Sequence, residues 1–416
     1  MTPFPDFCNT ADDDGRDSAA APAPAHLSGT NLERAGDHNQ RVTLHAIRVN
    51  GPLTRTDLVD ITGLTAPAIA NITKRLLKDN LIKEAGRLRG ARGQPPVKLV
   101  INPDGCFSIG MNVDRDHITL VVVDFEGRVR ARSSREIRFA LPDTVASFFR
   151  RSIGHLLKKA HVQVKQLTGI GVAFPDDIQR ADLPDKPASY AAWGSVSVDR
   201  LLAGTLPVPI FVENDAAAAA MGEMQFGHGH QYRSFFYILI TAALGGGLVV
   251  DGNYFRGAQG RSGELGWLNG TDEFGKTRQL QNIVSLSALY SRLAAKGYKV
   301  ASPRGLTRLD EAGAAIVSEW VDTSVAALRE TLLSINCLID PQAILIGGRL
   351  PACIVDELAR RLNVLMRSYA DKIPAIAPVA RAAMSDDAPA VGAAILPFSD
   401  RLLPTRTALM KTASAV

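Results

Sequence analysis

The sequence predicts an α/β protein of two similar lobes, preceded by a small module of three helices and a β-hairpin. Three observations lead to this prediction. Residues 41–100 carry short amphipathic helical patterns and end in a β-rich apolar run. After residue 102, β-branched runs alternate with longer helical patterns, as in an α/β sheet, and the series occurs twice. With 416 residues, the chain also exceeds the size of one ordinary hydrophobic core.

The composition is that of a soluble globular protein, with 46% hydrophobic and 21% charged residues. No apolar stretch approaches the roughly 20 residues that span a bilayer, and the N-terminus lacks the basic and then apolar order of a signal peptide. We therefore expect a cytoplasmic protein without membrane contacts. The net charge of +5 permits nucleic-acid binding without requiring it. The cysteines are isolated, which indicates neither disulfides nor a zinc knuckle: Cys8, Cys106, Cys337 and Cys353.

Composition and pattern divide the chain into four segments. The first is rich in Asp, Ala, Pro, Gly and Ser and cannot bury enough apolar surface to fold, so we expect a disordered leader. The boundary between the lobes is placed near Pro209, and the final helix, through Pro389 to Leu396, is expected to return to the first lobe. The predicted segments are the leader 1–36, the helical module 37–102, the first lobe 103–209 with the C-terminal piece 385–400, and the second lobe 210–384.

Within the module, two helical patterns are joined by a glycine-containing turn. The first begins after Thr54, whose hydroxyl can form a capping box with Asp57, and it stops at Gly63. The second opens with Thr65 as N-cap and has Pro67 in its first turn, where a missing N–H costs little. The residues expected to face inward are Leu58, Val59, Ile61, Ile69, Ile72, Leu76 and Leu77. This arrangement is typical of a helix-turn-helix.

A helix-turn-helix lays its second helix into the major groove of DNA. Asn71 can pair with adenine there, and the basic residues of that helix can neutralise phosphates. The next segment, rich in glycine and arginine, predicts a hairpin wing with a basic tip. We therefore predict double-stranded DNA as a partner, contacted by Thr65, Ala66, Ala68, Asn71, Lys74, Arg75, Lys78, Arg87, Arg89 and Arg92.

Polar groups stand at strand ends of the two lobes, which is where α/β folds bind ligands. A strand over 210–212 leads into Asn214 and Asp215, which are followed by a helix. Asp215 can act as a general base on a hydroxyl and Asn214 can hydrogen-bond one, although an Asn-Asp pair is also an ordinary helix cap. Glu264 lies in a glycine-rich loop over 262–266.

Two glycine runs also accompany strands. Residues 241–247 have the backbone freedom to approach a phosphate or a sugar, and a tight hairpin explains them equally well. The strand over 343–346 ends in Gly347 and Gly348, where the adenosine of a nucleotide can lie.

From about Ser108 to Leu396, the order and spacing of these motifs resemble the ROK family of repressors, open reading frames and sugar kinases. The runs that carry the resemblance are 169–175, 212–217, 245–247, 263–266 and 340–348. The resemblance implies an actin-like, two-lobed sugar-kinase fold with a sugar in the cleft. It implies that Asn214, Asp215 and Glu264 meet the sugar, with Asp215 in the position of the catalytic base. The N-terminal module is similar to the winged helix-turn-helix of the repressor branch.

The departures from the family pattern point away from catalysis. The family's phosphate loop reads Asp-x-Gly-Gly-Thr, whereas this chain has Asn-Val-Asp-Arg-Asp over 112–116. The repulsion between a carboxylate and a nearby phosphate charge weakens triphosphate binding by about 1 to 4 kcal/mol, depending on the local dielectric. A turn that usually holds glycine also carries Asp176 and Asp177. We therefore expect no ATP binding, no catalytic residue and no cofactor.

The zinc site implied by the family is also changed. Its His position holds Trp267, its cysteine cluster falls on 272–281 without a thiol, and its last sugar-binding acid falls on Gln281. We therefore expect no metal. The indole of Trp267 can stack on a pyranose or belong to the core.

The sequence thus predicts a DNA-binding transcriptional regulator of carbohydrate metabolism, a repressor, controlled by a sugar or a sugar derivative. The expected ligand contacts are Asn214, Asp215, Glu264, Trp267 and Gln281, with Asp215 as a vestigial base. A homodimer or homotetramer reading a palindromic or inverted-repeat operator is expected. Two alternatives stay open: an active ATP-dependent sugar kinase with a DNA-binding arm, and a regulator whose vestigial cleft responds to a non-sugar signal.

Overall fold

The structure is a computed structural model that describes most of the chain. The described residues are 32–87, 96–176, 178, 186–384 and 387–404. They form an N-terminal helical module and two five-stranded sheets with helices around them. The predicted α/β class of the body is confirmed.

The N-terminal module contains three helices and an antiparallel strand pair: α1 (Leu32–Asn50), α2 (Arg55–Thr62), α3 (Ala66–Lys78), β1 (Ile82–Arg87) and β2 (Val97–Ile101). Helix α1 begins inside the stretch 1–36 that composition assigned to a leader, and residues 1–31 lie outside the described residues. Leu44 and Ile47 of α1 are buried in the core of the module. The boundary at residue 36 needs this correction because composition averages over a window and does not locate the start of a helix.

The turn between α2 and α3 has the predicted local chemistry. Thr54 caps α2: the Asp57 amide donates to Thr54 Oγ1 (3.2 Å), and the Thr54 amide donates to Asp57 Oδ2 (2.8 Å). Gly63 follows the helix with a φ of 69°, a conformation that glycine adopts without a Cβ penalty. Thr65 is the N-cap residue of α3, although its hydroxyl makes no capping hydrogen bond.

Six of the seven residues predicted to face inward are buried or half-buried: Leu58, Val59, Ile69, Ile72, Leu76 and Leu77. Ile61 is the exception, with 49% of its surface exposed, and that part of the prediction is wrong. It stands in the last turn of an eight-residue helix, and so short a helix does not bury a complete apolar stripe.

The first sheet consists of β3 (Phe107–Val113), β4 (His117–Asp124), β5 (Val129–Glu136), β6 (Leu167–Ala173) and β7 (Ile210–Glu213), with helices α4 (Pro142–Ala160) and α5 (Val198–Leu202). Its strand order is β5-β4-β3-β6-β7. Strand β7 pairs in parallel with β6, with Ile210 opposite Ile170. This corrects the lobe boundary near Pro209, which assigned β7 to the second lobe. A four-residue, mostly half-exposed strand carries too little pattern to show which sheet it joins.

The second sheet has the order β10-β9-β8-β13-β14 and is built from β8 (Phe235–Ile240), β9 (Leu244–Val250), β10 (Asn253–Tyr254), β13 (Ala343–Gly348) and β14 (Val379–Arg381). A separate hairpin joins β11 (Asn269–Thr271) to β12 (Thr277–Gln279). The helices of this part are α6 (Asp215–Phe226), α7 (Leu286–Ala295), α8 (Pro303–Leu306), α9 (Glu311–Ile339) and α10 (Ala352–Arg367).

The last helix, α11 (Ala388–Arg401), packs on the first sheet, where the C-terminal segment was expected. A Cβ on Gly110 of β3 would lie 1.9 Å from the Ala390 carbonyl oxygen, so only glycine permits this approach. A Cβ on Gly392 of α11 would likewise lie 1.8 Å from the Ala218 carbonyl oxygen of α6. Helices α6 and α11 therefore form a closely packed layer of small residues, with the N-terminus of α6 at the cleft between the sheets.

None of the helices within the described ranges combines the length and the apolar character needed to cross a membrane.

Candidate functional site

A cavity of about 590 Å³ opens between the sheets at the N-terminus of α6. Its lining includes all five residues predicted to bind a ligand: Asn214, Asp215, Glu264, Trp267 and Gln281. They come from three separate parts of the chain, so the fold brings them together. The volume is within the range of roughly 300–1,000 Å³ that is usual for small-molecule sites.

Asn214 and Asp215 serve both as a helix cap and as cavity lining. Asn214 Oδ1 accepts hydrogen bonds from the amides of Ala216 (2.9 Å) and Ala217 (3.2 Å), while its Nδ2 donates to Asp176 Oδ2 (3.1 Å). Burial, and then the charge of nearby carboxylates, raises the pKa of Asp215 to about 7. A carboxyl group with a pKa near neutrality can accept a proton from a hydroxyl or share one with it.

The remaining three predicted residues present different chemistry to the cavity. Glu264 Oε1 accepts a hydrogen bond from Arg261 Nε (3.3 Å), and Gln281 Nε2 donates to Gln279 Oε1 (3.0 Å). Trp267 is 50% exposed, which excludes the alternative that it is a core tryptophan. The cavity thus combines carboxylates, amides and an aromatic face.

On the other side of the cleft, the loop between β3 and β4 is filled with charged side chains. Asp114 is fully buried, and its Oδ1 accepts a hydrogen bond from the Arg115 amide (2.7 Å). His117 Nδ1 lies 3.0 Å from Asp116 Oδ1, and its Nε2 lies 3.1 Å from Asn112 Nδ2. Several polar groups here are therefore engaged with one another, while Asn112 Oδ1 and Asp114 Oδ2 are buried without a hydrogen-bond partner among the described residues.

Arg349, directly after the paired glycines of β13, reaches across the cleft to the same loop. Its Nη1 lies 3.2 Å from Asp116 Oδ1, and its Nη2 donates to Glu136 Oε1 of β5. The Arg349 side chain is only 9% exposed, whereas Asp116 is 24% and Glu136 50% exposed, so solvent screens the pair with Glu136 more strongly. Sequence reasoning missed this bridge, because the only local signal is one arginine after two glycines.

Three side chains of this loop have the spacing to hold a cation: Asp114, Asp116 and His117. We assign no metal to them, because Arg115 and Arg349 lie 3.5 Å and 3.2 Å from the two carboxylates and already neutralise them.

The predicted DNA-binding face of α3 is open to solvent. Its exposed members are Thr65, Ala66, Asn71, Lys74, Arg75 and Lys78, and Ala68 is half-buried. Strands β1 and β2 form an antiparallel ladder with Ile82 opposite Ile101. The side chain of Arg87, together with Arg89 and Arg92 at the predicted wing tip, lies outside the described residues.

Helix α1 of the module contacts the C-terminal ends of α6 and α11. The Arg48 guanidinium lies 5.4 Å from the centroid of the Phe226 ring and donates to Gln225 Oε1. Arg41 Nη1 donates to the carbonyl oxygen of Asp400 (2.8 Å). Because α6 begins at the cavity and ends at these contacts, one twelve-residue helix connects the cleft with the N-terminal module.

Residues 108–399 match the model of the ROK family. The chain belongs to the ROK family. The match includes both sheets and α11, so the resemblance inferred from the motifs is confirmed.

Curated relatives of this ROK chain include named regulators. The xylose repressor of Bacillus subtilis is 28% identical over 228 residues, which cover 55% of this chain and 59% of the repressor. The DNA-binding transcriptional dual regulator NagC of Escherichia coli is 22% identical over 337 residues, which cover 77% of this chain and 82% of NagC. The crystal structure of a ROK family transcriptional regulator, a homolog of the E. coli MLC protein, superposes with a TM-score of 0.64 at 20% identity. That superposition covers 89% of this chain and 98% of the regulator, and it shows the fold.

Packing explains the two glycine runs of the ROK cleft. Residues 245–247 belong to strand β9, which pairs with β8, so the hairpin alternative is correct. A Cβ on Gly247 would lie 2.6 Å from the Cβ of Ala220 on α6, and one on Gly347 would lie 1.9 Å from Tyr237 Oη. These glycines are required for close contacts between elements, whether or not a ligand is bound.

Proposed function

We propose that this ROK protein is a DNA-binding transcriptional repressor of carbohydrate metabolism whose cleft binds a sugar without phosphorylating it. One observation carries the proposal. The five side chains expected to bind a sugar line a single cavity. The loop expected to hold phosphates instead carries two acids of its own, and Arg349 pairs with one of them.

The sugar side has the chemistry that a carbohydrate needs. Asn214, Asp215 and Glu264 offer hydrogen-bond partners for hydroxyl groups, and the exposed face of Trp267 offers a surface for the apolar side of a pyranose. Gln281 stands in the place of an acid in the family pattern, so the hydroxyl recognised there differs from that of the kinases.

The opposite side of the cleft, at the loop over 112–116, does not offer the groups that phosphoryl transfer needs. This transfer depends on positioned phosphate contacts and Mg²⁺, and the loop over 112–116 offers two carboxylates in place of glycines and a hydroxyl. Asp114 is fully buried there, so its charge would meet a triphosphate in a medium of low dielectric.

The N-terminal module supports DNA binding as a winged helix-turn-helix. Its α3 presents Asn71, Lys74, Arg75 and Lys78 on one exposed face, and β1 and β2 form the base of a hairpin. Relatives named as repressors favour the same role. We infer that a homodimer or homotetramer reads a palindromic or inverted-repeat operator.

Helix α6 offers a direct route from the cleft to the DNA. Its first turn carries the cavity residues Asn214 and Asp215, and its last turn contacts Arg48 of α1. A sugar that binds one arrangement of α6 better than another shifts the equilibrium between two positions of the module.

The proposal is tested by thermal unfolding of the full chain with a panel of sugars, amino sugars, sugar phosphates and Mg-ATP. A ligand at 100 times its Kd adds about 2.7 kcal/mol of stability. We expect one sugar to raise the Tm, Mg-ATP to leave it unchanged, and the same sugar to alter retention of an operator selected from random DNA. No shift with any compound would favour the alternative of a vestigial cleft.

A second candidate, an active sugar kinase with a DNA-binding arm, is favoured by one observation. Asp215, in the position of the catalytic base, has a pKa raised to about 7, which suits proton abstraction at neutral pH. A Tm shift with Mg-ATP, together with formation of a phosphorylated sugar and ADP, would establish the kinase.

A further inference from the structure

Part of the cavity is not used by the five predicted ligand residues. The hairpin of β11 and β12 also lines it, with Glu273 and Phe274 in its turn and Arg278 on β12. This segment has no role in the function proposed above.

The tip of this hairpin is held in place by its own contacts. Asp272 Oδ1 accepts hydrogen bonds from the amides of Phe274 (3.0 Å) and Lys276 (2.8 Å), and Arg278 Nε donates to Asp272 Oδ2 (2.6 Å). Arg292 of α7 donates to Glu273 Oε2 (2.5 Å) and ties the tip to the body of the protein. Phe274 is therefore held on a braced turn.

Phe274 is nevertheless 76% exposed, and it shares the cavity with Trp267, which is 50% exposed. Covering two exposed aromatic side chains of one cavity with an apolar surface is favourable. The apolar faces of pyranose rings are such a surface, and their edges carry the hydroxyls that the flanking side chains can bond.

The cavity has two groups of polar side chains and no excess of positive charge. Asn214 and Asp215 contribute the first group from the start of α6, and Arg278 and Gln281 contribute the second from β12 and the short helix after it. The whole lining contains four arginines and five carboxylates. This balance favours a neutral, hydroxyl-rich ligand over a phosphorylated one.

We propose that the effector is a neutral saccharide of at least two units. One unit lies at Asn214 and Asp215, and the next lies against Trp267 and Phe274, within reach of Arg278. This inference rests on the proposed function and specifies the class of ligand that the same cleft takes. The cavity of about 590 Å³ is large enough for ligands well above the size of one pyranose.

The test is calorimetric titration of the full chain with matched saccharides of one, two and three units, in the xylose, glucose and N-acetylglucosamine series. In one series we expect the Kd to fall about tenfold from one unit to two, because the second ring covers the aromatic pair. Trp193 and Trp320 are buried, so the fluorescence of the exposed Trp267 should change with the same concentration dependence.

Phe274→Ala separates the two parts of the site. We expect it to raise the Kd of the two-unit saccharide about tenfold and to leave that of the single unit unchanged. Leu338→Ala removes an apolar side chain that is 84% exposed and lies outside the cavity, and it should change neither value.

The outcomes distinguish this inference from the function on which it rests. Equal affinity for one and two units, or an equal effect of Phe274→Ala on both, would overturn the extended site and leave a monosaccharide sensor. Failure of every saccharide to bind would overturn the proposed sugar sensor, and the extended site with it.

Discussion

The α6 side of the cleft and the β3–β4 side are equally rich in carboxylates, yet they differ in what those groups contact. Asp215 and Glu264 line an open cavity of about 590 Å³. Asp114 and Asp116 on the opposite side are engaged by neighbouring side chains, and Arg349 crosses from the second sheet to join them. The carboxylates of the first side face the larger cavity, whereas those of the second are paired with arginines beside a smaller cavity of about 470 Å³ that Arg115, Asp116 and Glu136 help to line.

This difference supports our proposal that the cleft recognises a sugar without transferring a phosphoryl group. A carboxylate at a cavity wall remains available to a hydroxyl, whereas one that is paired with an arginine already has a partner of opposite charge. The bridge at Arg349 also joins the two sheets at the loop over 112–116, which the family pattern assigns to phosphate binding. Substitutions on each side of the cleft, and in the N-terminal module, should therefore have separate effects.

The largest effect is expected from Asp215→Asn on the sugar side. Hydrogen bonds to a charged group contribute about 1.5–3 kcal/mol, so we expect the Kd of the effector to rise about 10- to 100-fold in a calorimetric titration. Asp251→Asn makes the same chemical change in an exposed turn after β9 and should leave the Kd unchanged. Similar Kd values for Asp215→Asn and the wild type would remove Asp215 from the binding site.

Arg349→Met tests the opposite side. It removes the arginine partner of Asp116, which keeps His117, and of Glu136. Because both carboxylates are partly exposed, we expect a loss of about 2 kcal/mol in the free energy of unfolding, below the 3–5 kcal/mol typical of a fully buried pair. Urea denaturation measures this loss, and the effector Kd should stay within about twofold.

Arg381→Met is the matched control for that variant. Arg381 lies on β14 of the same sheet and pairs with Asp356, but both side chains are about half exposed, so the change should cost less than about 1 kcal/mol. Equal losses for the two variants would mean that the bridge across the cleft has no special role.

A pH dependence of stability distinguishes the two sides further. The pKa of Asp215 is raised to about 7 in the folded state by burial and by nearby charge, from about 4 in the unfolded chain. The folded protein therefore retains a proton that the unfolded chain releases, and the resulting stabilisation is complete below pH 4 and is lost as the pH rises to 7. Between pH 5 and pH 8, the Tm of the wild type should fall relative to that of Asp215→Asn. Parallel Tm profiles would contradict the raised pKa.

The smallest effect is expected from Lys78→Ala in the DNA-binding module, far from either side of the cleft. Removing one phosphate contact should weaken operator binding uniformly across sequences and reduce the salt slope of binding by about 1. Lys372→Ala, on a lysine that lies over Tyr369, is the control. A change in effector affinity in Lys78→Ala would show that the two functions share residues, contrary to our account.

Local chemistry made much of the fold predictable. The capping box of Thr54 and Asp57 involves residues three positions apart, so the sequence alone identifies the start of α2. Strand β2 forms where the sequence has the β-rich apolar run that closes the N-terminal module, because turn residues follow that run. Asn214, Asp215 and Glu264 were identified from their places at strand ends and in a glycine-rich loop. Trp267 and Gln281 were identified through the family pattern, which specifies residues that the chain brings together only after folding.

Long-range partners were not predictable in this way. Arg349 and Asp116 are separated by 233 positions, and no local pattern connects them. The sequence pattern of strand β7 is too short to show which sheet the strand joins. Ile61 has the spacing of an inward-facing residue, but no neighbouring element covers it. The exposed Phe274 looks like an ordinary hairpin residue in the sequence, and only the structure places it on the cavity.

The central claim, that the cleft keeps a sugar site and lacks a nucleotide site, is tested most directly by titrating Mg-ATP into the protein saturated with its effector sugar. Our account predicts no saturable heat up to millimolar ATP and no phosphorylated sugar in the recovered sample. Saturable one-to-one binding of Mg-ATP with formation of a sugar phosphate would contradict it.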